Sequence, residues 1–291
     1  MAIDIKSLGL GAVDSGAVIQ GIIKNSAFMA LGREINIPEG GASVTLLSDI
    51  EGQGVGEGEA KVASGSVTGV PVARNKFHAT VVETEEAYRV DPETGENRFL
   101  TEAIWTELPS AIAKKFDLYV AGIATLPALF SNFGTFAGVQ EAEIAEGNAA
   151  SASFDEAQGL LSEGVVNGVV LSTTMLNYLK RQRITTGVRA FEISGDWASG
   201  TIEGFPYVTF ISSQKVGFVG NWNNYVYGNA PFVSPITGSA YRVKDSGSIS
   251  DRNGVTHNLT SENKVALQYE TFGGSGIADL SSFVKIVPSA S

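Results

Sequence analysis

Glycine occupies every second position from residue 52 to residue 58, within the stretch Glu51-Gly52-Gln53-Gly54-Val55-Gly56-Glu57-Gly58-Glu59-Ala60-Lys61. Glycine has no side chain to bury and loses more backbone freedom on ordering than any other residue, so this stretch cannot form part of a hydrophobic core. Strand-like sequences flank it at residues 44–47 and 66–72. The pattern predicts a long hairpin over residues 42–73 with an extended, projecting end. Because a lone hairpin with few core residues is marginal in water, it is stable only when it lies on a neighbour.

The composition favours contact surface. Charged residues make up 18% of the 291 positions, against about 25% in an average soluble domain, so much of the surface must be neutral. The net charge of −11 argues against sequence-independent binding of nucleic acid, because such binding needs clustered lysine and arginine. No apolar run approaches the roughly 18 residues of a membrane span, and no signal-peptide pattern follows Met1.

Residue types that carry out chemistry are scarce. The chain has no cysteine, which excludes disulfides, zinc ribbons, iron–sulfur clusters and thiol nucleophiles. Of the two histidines, we expect His78 to be half-buried in a strand and His257 to lie in a surface loop. The glycine run lacks the lysine of a phosphate-binding loop, the acids around Gly95 lack the spacing of a calcium loop, and no G-x-S-x-G sequence occurs. A carboxylate pair for glycoside hydrolysis stays open. We therefore predict no enzyme and assign no catalytic, cofactor-binding or metal-binding residue.

Periodic patterns along the rest of the chain predict an α+β fold. Apolar residues at helical spacing predict a helical segment between residues 18 and 28, and a second helix over residues 97–124 that bends or divides at Pro109. Ser153 begins a capping box for the next helix, and Ser172 is the expected N-cap of another. Strands are expected at residues 77–82, 168–171, 207–211, 216–219 and 265–272.

One group of bases stands out as a candidate contact: Lys180, Arg181, Arg183 and Arg189, with no acid between the first and the last. These residues, here called the basic cluster, end and follow a predicted helix, where the first two also favour the negative end of the helix dipole. Two interpretations stay open. The cluster is either a solvated helix end or an inter-subunit patch that meets the six acids between Glu141 and Glu163.

A polar-aromatic segment, Asn221-Trp222-Asn223-Asn224-Tyr225-Val226-Tyr227, is a second candidate contact. It could stack on a sugar. We favour an interface strand, because tryptophan and tyrosine are the residues that most often anchor protein contacts.

Several motifs together resemble one protein family. The stretch Gly54-Val55-Gly56-Glu57-Gly58-Glu59-Ala60-Lys61 resembles the extended-loop signature Trp-Val-Gly-Glu-Gly-x-Ala of the major capsid proteins of tailed bacteriophages, with Gly54 where tryptophan is common. Residues 76–86 resemble the strand that follows this loop in the family. Residues 168–179, with 201–208, resemble the strand–helix–"G-x-P" succession of the axial domain. Residues 263–273, with 282–285, resemble the closing strands. The likeness covers nearly the whole chain.

The resemblance implies an α+β subunit with the Hong Kong 97-type capsid fold. Its expected parts are an N-terminal arm (1–41), an extended loop (42–75), a peripheral domain with a long spine helix (76–130), an axial domain (131–255) and closing C-terminal strands (256–291). Assembly contacts would come from the basic cluster in the axial domain and from six residues of the extended loop: Gly54, Gly56, Glu57, Gly58, Glu59 and Lys61.

The resemblance also implies a function. Such subunits self-assemble into pentamers and hexamers of an icosahedral phage head, which encloses double-stranded DNA without binding it specifically. The chain would be a virion component assembled in the host cytoplasm without a membrane, with a portal and decoration proteins as further partners. A separate scaffolding protein is expected, because the arm begins almost at Met1. Two alternatives stay open: an encapsulin-type nanocompartment shell that encloses protein cargo, and a soluble β-rich enzyme or carbohydrate-binding domain.

Overall fold

The structure is a computed structural model that describes residues 20–38, 42–48, 66–88, 106–124, 132–134, 139–161, 165–231, 241–250 and 254–289. Residues 20–25 are helical, and the further α-helices in these ranges are α1 (Ala27–Leu31), α2 (Leu108–Val120), α3 (Ala150–Gly159) and α4 (Thr173–Arg181). The strands are β1 (Arg33–Glu34), β2 (Ala42–Ser48), β3 (Ser66–Val72), β4 (Asn75–Thr84), β5 (Gln140–Ile144), β6 (Gly168–Ser172), β7 (Ile193–Gly195), β8 (Ser199–Ile202), β9 (Phe205–Phe210), β10 (Gly217–Gly220), β11 (Tyr225–Pro231), β12 (Tyr241–Lys244), β13 (Ser248–Ser250), β14 (Thr256–Asn258), β15 (Lys264–Ile277) and β16 (Phe283–Pro288). None of the described helices has both the length and the apolar character needed to cross a membrane.

One sheet, here called the long sheet, is organised around β15. This strand pairs antiparallel with β4 along one side and with β12 and then β11 along the other. Side chains alternate across a strand, so Val265, Leu267 and Tyr269 all face one way, where they join the same hydrophobic cluster as Ile112 and Phe116 of α2. The strand predicted at residues 265–272 is therefore confirmed, and it continues as far as Ile277.

A second sheet, here called the broad sheet, has the strand order β5-β16-β10-β6-β9-β8-β7. Every residue of its central strand β6 is buried, because the sheet is covered on both faces. Val170 contributes to the cluster shared with the long sheet, whereas Val169 and Leu171 join a separate cluster beneath α3 and α4. The two edge strands of the described sheet are β5 and β7.

Aromatic side chains fill the space between the two sheets. Phe28 of α1 lies at their centre, and its ring centroid is 5.6–6.2 Å from the rings of Phe133, Phe210, Phe218, Trp222 and Tyr225. The interface or sugar-stacking role predicted for residues 221–227 is therefore wrong. Trp222, Tyr225 and Tyr227 are buried, because the segment turns back between the sheets and supplies core aromatics.

One prediction about a helix boundary needs correction, and another extends beyond the described residues. Pro109 lies in the first turn of α2, directly after residues 106–107, which form a π-helical turn; residues 97–105 of the predicted helix lie outside the described residues, so the bend or division at Pro109 stays a prediction. Ser153 does not cap α3, which begins three residues earlier at Ala150. Its hydroxyl donates to the Ala150 carbonyl and accepts from the Ala145 amide at 2.9 Å each. Ser172 does cap α4 as predicted, accepting from the Met175 amide at 3.0 Å.

Candidate assembly surfaces

The hairpin predicted from the glycine pattern is present at its base. Strands β2 and β3 pair with each other from Ala42↔Val72 to Ser48↔Ser66, and within the described residues neither belongs to a larger sheet. At about 3.4 Å per residue, the paired strands extend roughly 20 Å. Val72 fixes the root, because it is buried with Ile37 and Val226 against the long sheet. The described hairpin is thus attached at one end, as a projecting element must be.

The end of that hairpin lies outside the described residues. The six predicted contact residues of the extended loop all fall there: Gly54, Gly56, Glu57, Gly58, Glu59 and Lys61. Their role stays a prediction.

A buried carboxylate joins the N-terminal segment to α2. Asp117 is 2% exposed and accepts a hydrogen bond from the Ser26 hydroxyl at 2.5 Å and one from the Ala27 amide at 3.0 Å. Ser26 is also the N-cap of α1 and accepts from the Met29 amide at 3.2 Å. Burial raises the pKa of Asp117 to about 7, although these hydrogen bonds act in the opposite direction. We call Ser26, Ala27 and Asp117 the arm–helix junction.

The basic cluster lies at the C-terminal end of α4 and in the loop that follows, as predicted. No ion pair joins any of its four members to a described acid. Arg183 instead donates to the carbonyls of Lys180 and Gln182 at 2.8 and 3.0 Å, and so satisfies carbonyl groups at the helix end. Lys180 lies 4.7 Å from the centre of the Trp197 ring. Lys180 also lies close enough to the Asp196 carboxylate to lower its pKa, so the cluster is partly compensated within the chain.

The fold places the acids between Glu141 and Glu163 in different surroundings. Glu141 pairs with Lys285 at 2.6 Å within the chain, and Glu163 lies outside the described residues. Four other acids are exposed and form no ion pair with a described base: Glu143, Glu146, Asp155 and Glu156. Glu146 also lines a cleft of about 440 Å³ together with Arg181 and Lys215. Part of the charge complementarity predicted between subunits thus already lies within one subunit.

Neither histidine builds a catalytic or metal site in the described chain. His78 is exposed, contrary to the half-buried position predicted, because the even-numbered residues of β4 face away from α2. His257 lies on β14, with its Nδ1 atom 3.2 Å from Glu262 and 2.9 Å from Lys264. The hydrogen bond from Lys264 is the largest of the causes that lower the pKa of Glu262 to about 2. Across the described residues, no three His, Asp or Glu side chains are placed to hold a metal ion.

Trp197 is an exposed aromatic residue that the sequence pattern did not single out. Trp197 is 55% exposed and lies in the tight turn between β7 and β8. The Asp196 carboxylate accepts from the amides of Ala198 and Ser199 at 2.7 and 2.9 Å, and these bonds lower its pKa. The signal available in the sequence was the turn chemistry of Ser194-Gly195-Asp196-Trp197, in which a tryptophan follows two turn-forming residues.

No protein-family model matches the chain, and neither does any curated protein. Solved structures do match. One described as Gordonia phage Cozz covers 92% of this chain and 87% of its own, with a TM-score of 0.65 and 18% identity. One from Microbacterium phage Oxtober96 covers 91% of both chains, with a TM-score of 0.61 and 17% identity.

A third match is described as the capsid of an empty GTA particle computed with C5 symmetry. It covers 91% of this chain and 90% of its own, with a TM-score of 0.58 and 13% identity. The chain therefore has the fold of that capsid structure. The family resemblance found in the sequence is thereby confirmed at the level of the fold, and the mixed α+β class is confirmed with it.

Proposed function

We propose that the protein is the structural subunit of a phage head, and that it acts by self-association rather than by catalysis. The observation that carries this proposal is the match of about nine-tenths of the chain, and of a similar share of the matched chain, to a capsid structure. A match over about nine-tenths of both chains supports the fold of a shell subunit rather than of one small shared module.

The parts of a Hong Kong 97-type subunit correspond to elements of this fold in our proposal. Residues 20–38 belong to the N-terminal arm, and the β2–β3 hairpin is the base of the extended loop. Helix α2 is the spine helix of the peripheral domain (76–130) and lies on the long sheet, α3 and α4 lie on the broad sheet within the axial domain (131–255), and β15 and β16 are the closing strands (256–291) that complete the two sheets. The projecting hairpin and the basic cluster support this assignment, because both are suited to contact with neighbouring subunits.

In the proposed head, subunits form pentamers and hexamers around double-stranded DNA that the acidic chain binds without specificity. A scaffolding protein, a portal and decoration proteins are the proposed partners, and the virion is the proposed location after assembly in the host cytoplasm. Because an acidic lumen holds polyanionic DNA weakly, the packaged genome could leave again.

The test is assembly of the purified protein, alone and with a candidate scaffold, measured by light scattering and negative-stain microscopy. We expect closed shells or rings of five- and six-fold symmetry. A chain that stays monomeric under every condition would contradict the proposal. Particles from infected or expressing cells that hold protein cargo in place of DNA would indicate an encapsulin-type shell.

A further inference from the structure

We propose that the two edges of the broad sheet bind each other between neighbouring copies of this chain, with Trp197 and Ile211 at one edge docking on the exposed face of α3 at the other. This inference rests on the proposed function, because it names the surfaces through which shell subunits would meet within a ring.

The first edge presents apolar surface beside positive charge. Trp197 is 55% exposed and Ile211 is 60% exposed. Thr209 donates its hydroxyl to the Trp197 carbonyl at 2.6 Å and its amide to the Ala198 carbonyl at 2.9 Å, which brings Ile211 to the same end of the sheet as Trp197. Lys180 lies over the Trp197 ring, so the apolar pair is continuous with the basic cluster.

This edge is also held rigidly before any partner arrives. The Asp196 carbonyl accepts from the Tyr207 hydroxyl at 2.6 Å, and the Asp196 carboxylate bonds the two amides that follow Trp197. Gly195 has φ +95°, and a Cβ there would meet the Gly200 Cα at 2.5 Å, so the turn admits only glycine. A tryptophan on a fixed turn loses little conformational freedom on binding, which suits it as an interface anchor.

The second edge carries the opposite charge. Helix α3 packs beside the edge strand β5, and its outward face exposes Ala152, Asp155, Glu156 and Leu160. These four positions recur at helical spacing, so they share one side of the helix. Asp155 and Glu156 form no ion pair with a described base. The face therefore offers acids and apolar surface that match the bases and apolar pair of the first edge.

The strand order keeps the two surfaces apart within one chain but allows them to meet between two chains. Strands β5, β16, β6 and β9 run parallel to one another, so their C-terminal ends share one end of the sheet. Helix α3 begins after β5 and then packs across the face of the sheet, whereas Ile211 follows β9, so the start of α3, which includes Ala152, and Ile211 lie at that end of the sheet but toward opposite edges. The two edge strands are separated by roughly 29 Å at the usual strand spacing. Contact between unlike surfaces is head-to-tail and closes into a ring when the rotation permits.

Cysteine crosslinking tests this arrangement, because the chain has no cysteine of its own and no native thiol would react. The variant carrying both Ala152→Cys and Ile211→Cys is assembled and then treated with a short bismaleimide. We expect a ladder of covalent oligomers up to the size of the ring. Each single-cysteine variant should give no ladder, because both surfaces must take part in every link.

A second measurement tests the anchor itself. Trp197→Ala should raise the concentration needed for assembly about 30-fold, the loss typical of a central interface tryptophan. Val255→Ala, which trims a similarly exposed side chain (53%) beside the separate β13–β14 sheet, should leave this contact unchanged. Assembled particles that give no ladder, dimers formed by Ile211→Cys alone, or Trp197→Ala assembling like the wild type would each overturn the inference and leave the proposed function standing. A wild-type chain that never assembles would overturn both.

Discussion

Phe28 and Trp197 are both large aromatic residues, yet the fold uses them in opposite ways. Phe28 has no exposed surface and is surrounded by five aromatic rings between the two sheets. Trp197 is more than half exposed, and the contact that the structure gives its ring is the ammonium group of Lys180. In our proposal, stability of the subunit and association between subunits depend on different regions: the aromatic core with the arm–helix junction, and the end of the broad sheet around Trp197.

The largest difference between the regions should appear on truncating the two aromatic side chains. Phe28→Ala should lower the free energy of unfolding by about 4 kcal/mol, because it leaves a cavity where α1, α2 and both sheets meet. Trp197→Ala should lower it by less than about 1 kcal/mol. Urea unfolding of the dissociated subunit, followed by circular dichroism, measures both. Similar costs for the two variants would contradict the division of roles.

The arm–helix junction should make the core sensitive to pH. The folded-state pKa of Asp117 is raised to about 7 from 3.8, so the folded chain binds this proton more tightly than the unfolded chain does. Stability from this group is therefore full below pH 4 and is lost as the pH rises to about 7. Since a difference of one in pKa corresponds to about 1.4 kcal/mol, the loss is on the order of 4 kcal/mol.

Asp117→Asn isolates this effect, because the amide keeps an acceptor for the Ala27 N–H but cannot ionise. The groups facing Asp117 include Tyr225 of β11, whose pKa burial raises well above 10, so it stays neutral throughout. Relative to the wild type, the variant should become progressively more stable from pH 4 to pH 8. Parallel stability curves for the two proteins would show that Asp117 does not titrate in this range.

The two serine N-caps should differ in a smaller and more specific way. Ser26 accepts from Met29 and donates to Asp117, whereas Ser172 accepts from the amides of Met175 and Val216. Each replacement by alanine should cost roughly 1–3 kcal/mol. The cost of Ser26→Ala should grow between pH 5 and pH 8, as Asp117 becomes charged, while that of Ser172→Ala should stay constant. Thermal unfolding at the two pH values distinguishes them.

Charge reversal in the basic cluster should have the smallest effect on folding but a large effect on assembly. Reversing Arg181 and Arg183 to Glu should change the free energy of unfolding by about 0.5 kcal/mol or less, because exposed charges contribute little. It should weaken assembly at low salt, and the weakening should shrink at high salt as charges are screened. Light scattering across a salt series measures this. Unchanged assembly at low salt would leave the cluster as a solvated helix end.

Local patterns predicted much of the fold and little of its packing. The strands at residues 168–171 and 265–272 and the cap at Ser172 follow from hydrogen bonding and periodicity within a few residues, and these predictions are confirmed. The start of α3 was mistaken by three residues, because the neighbouring turn decides where a helix begins. The segment at residues 221–227 was misread, since polar neighbours of an aromatic residue do not show whether its ring faces water or another sheet.

The sequence by itself determined that this is a cysteine-free α+β chain with a β2–β3 hairpin and a cluster of bases at the end of α4, because composition, glycine spacing and charge runs can be read along the chain. Only the tertiary structure decided that Phe28 and Trp222 are core, that Asp117 accepts from the first turn of a helix 90 residues before it in the chain, and that Trp197 is exposed on a tight turn of the broad sheet. Burial, pKa and surface complementarity depend on which distant segments become neighbours, and strand order, which no local pattern records, sets those neighbours.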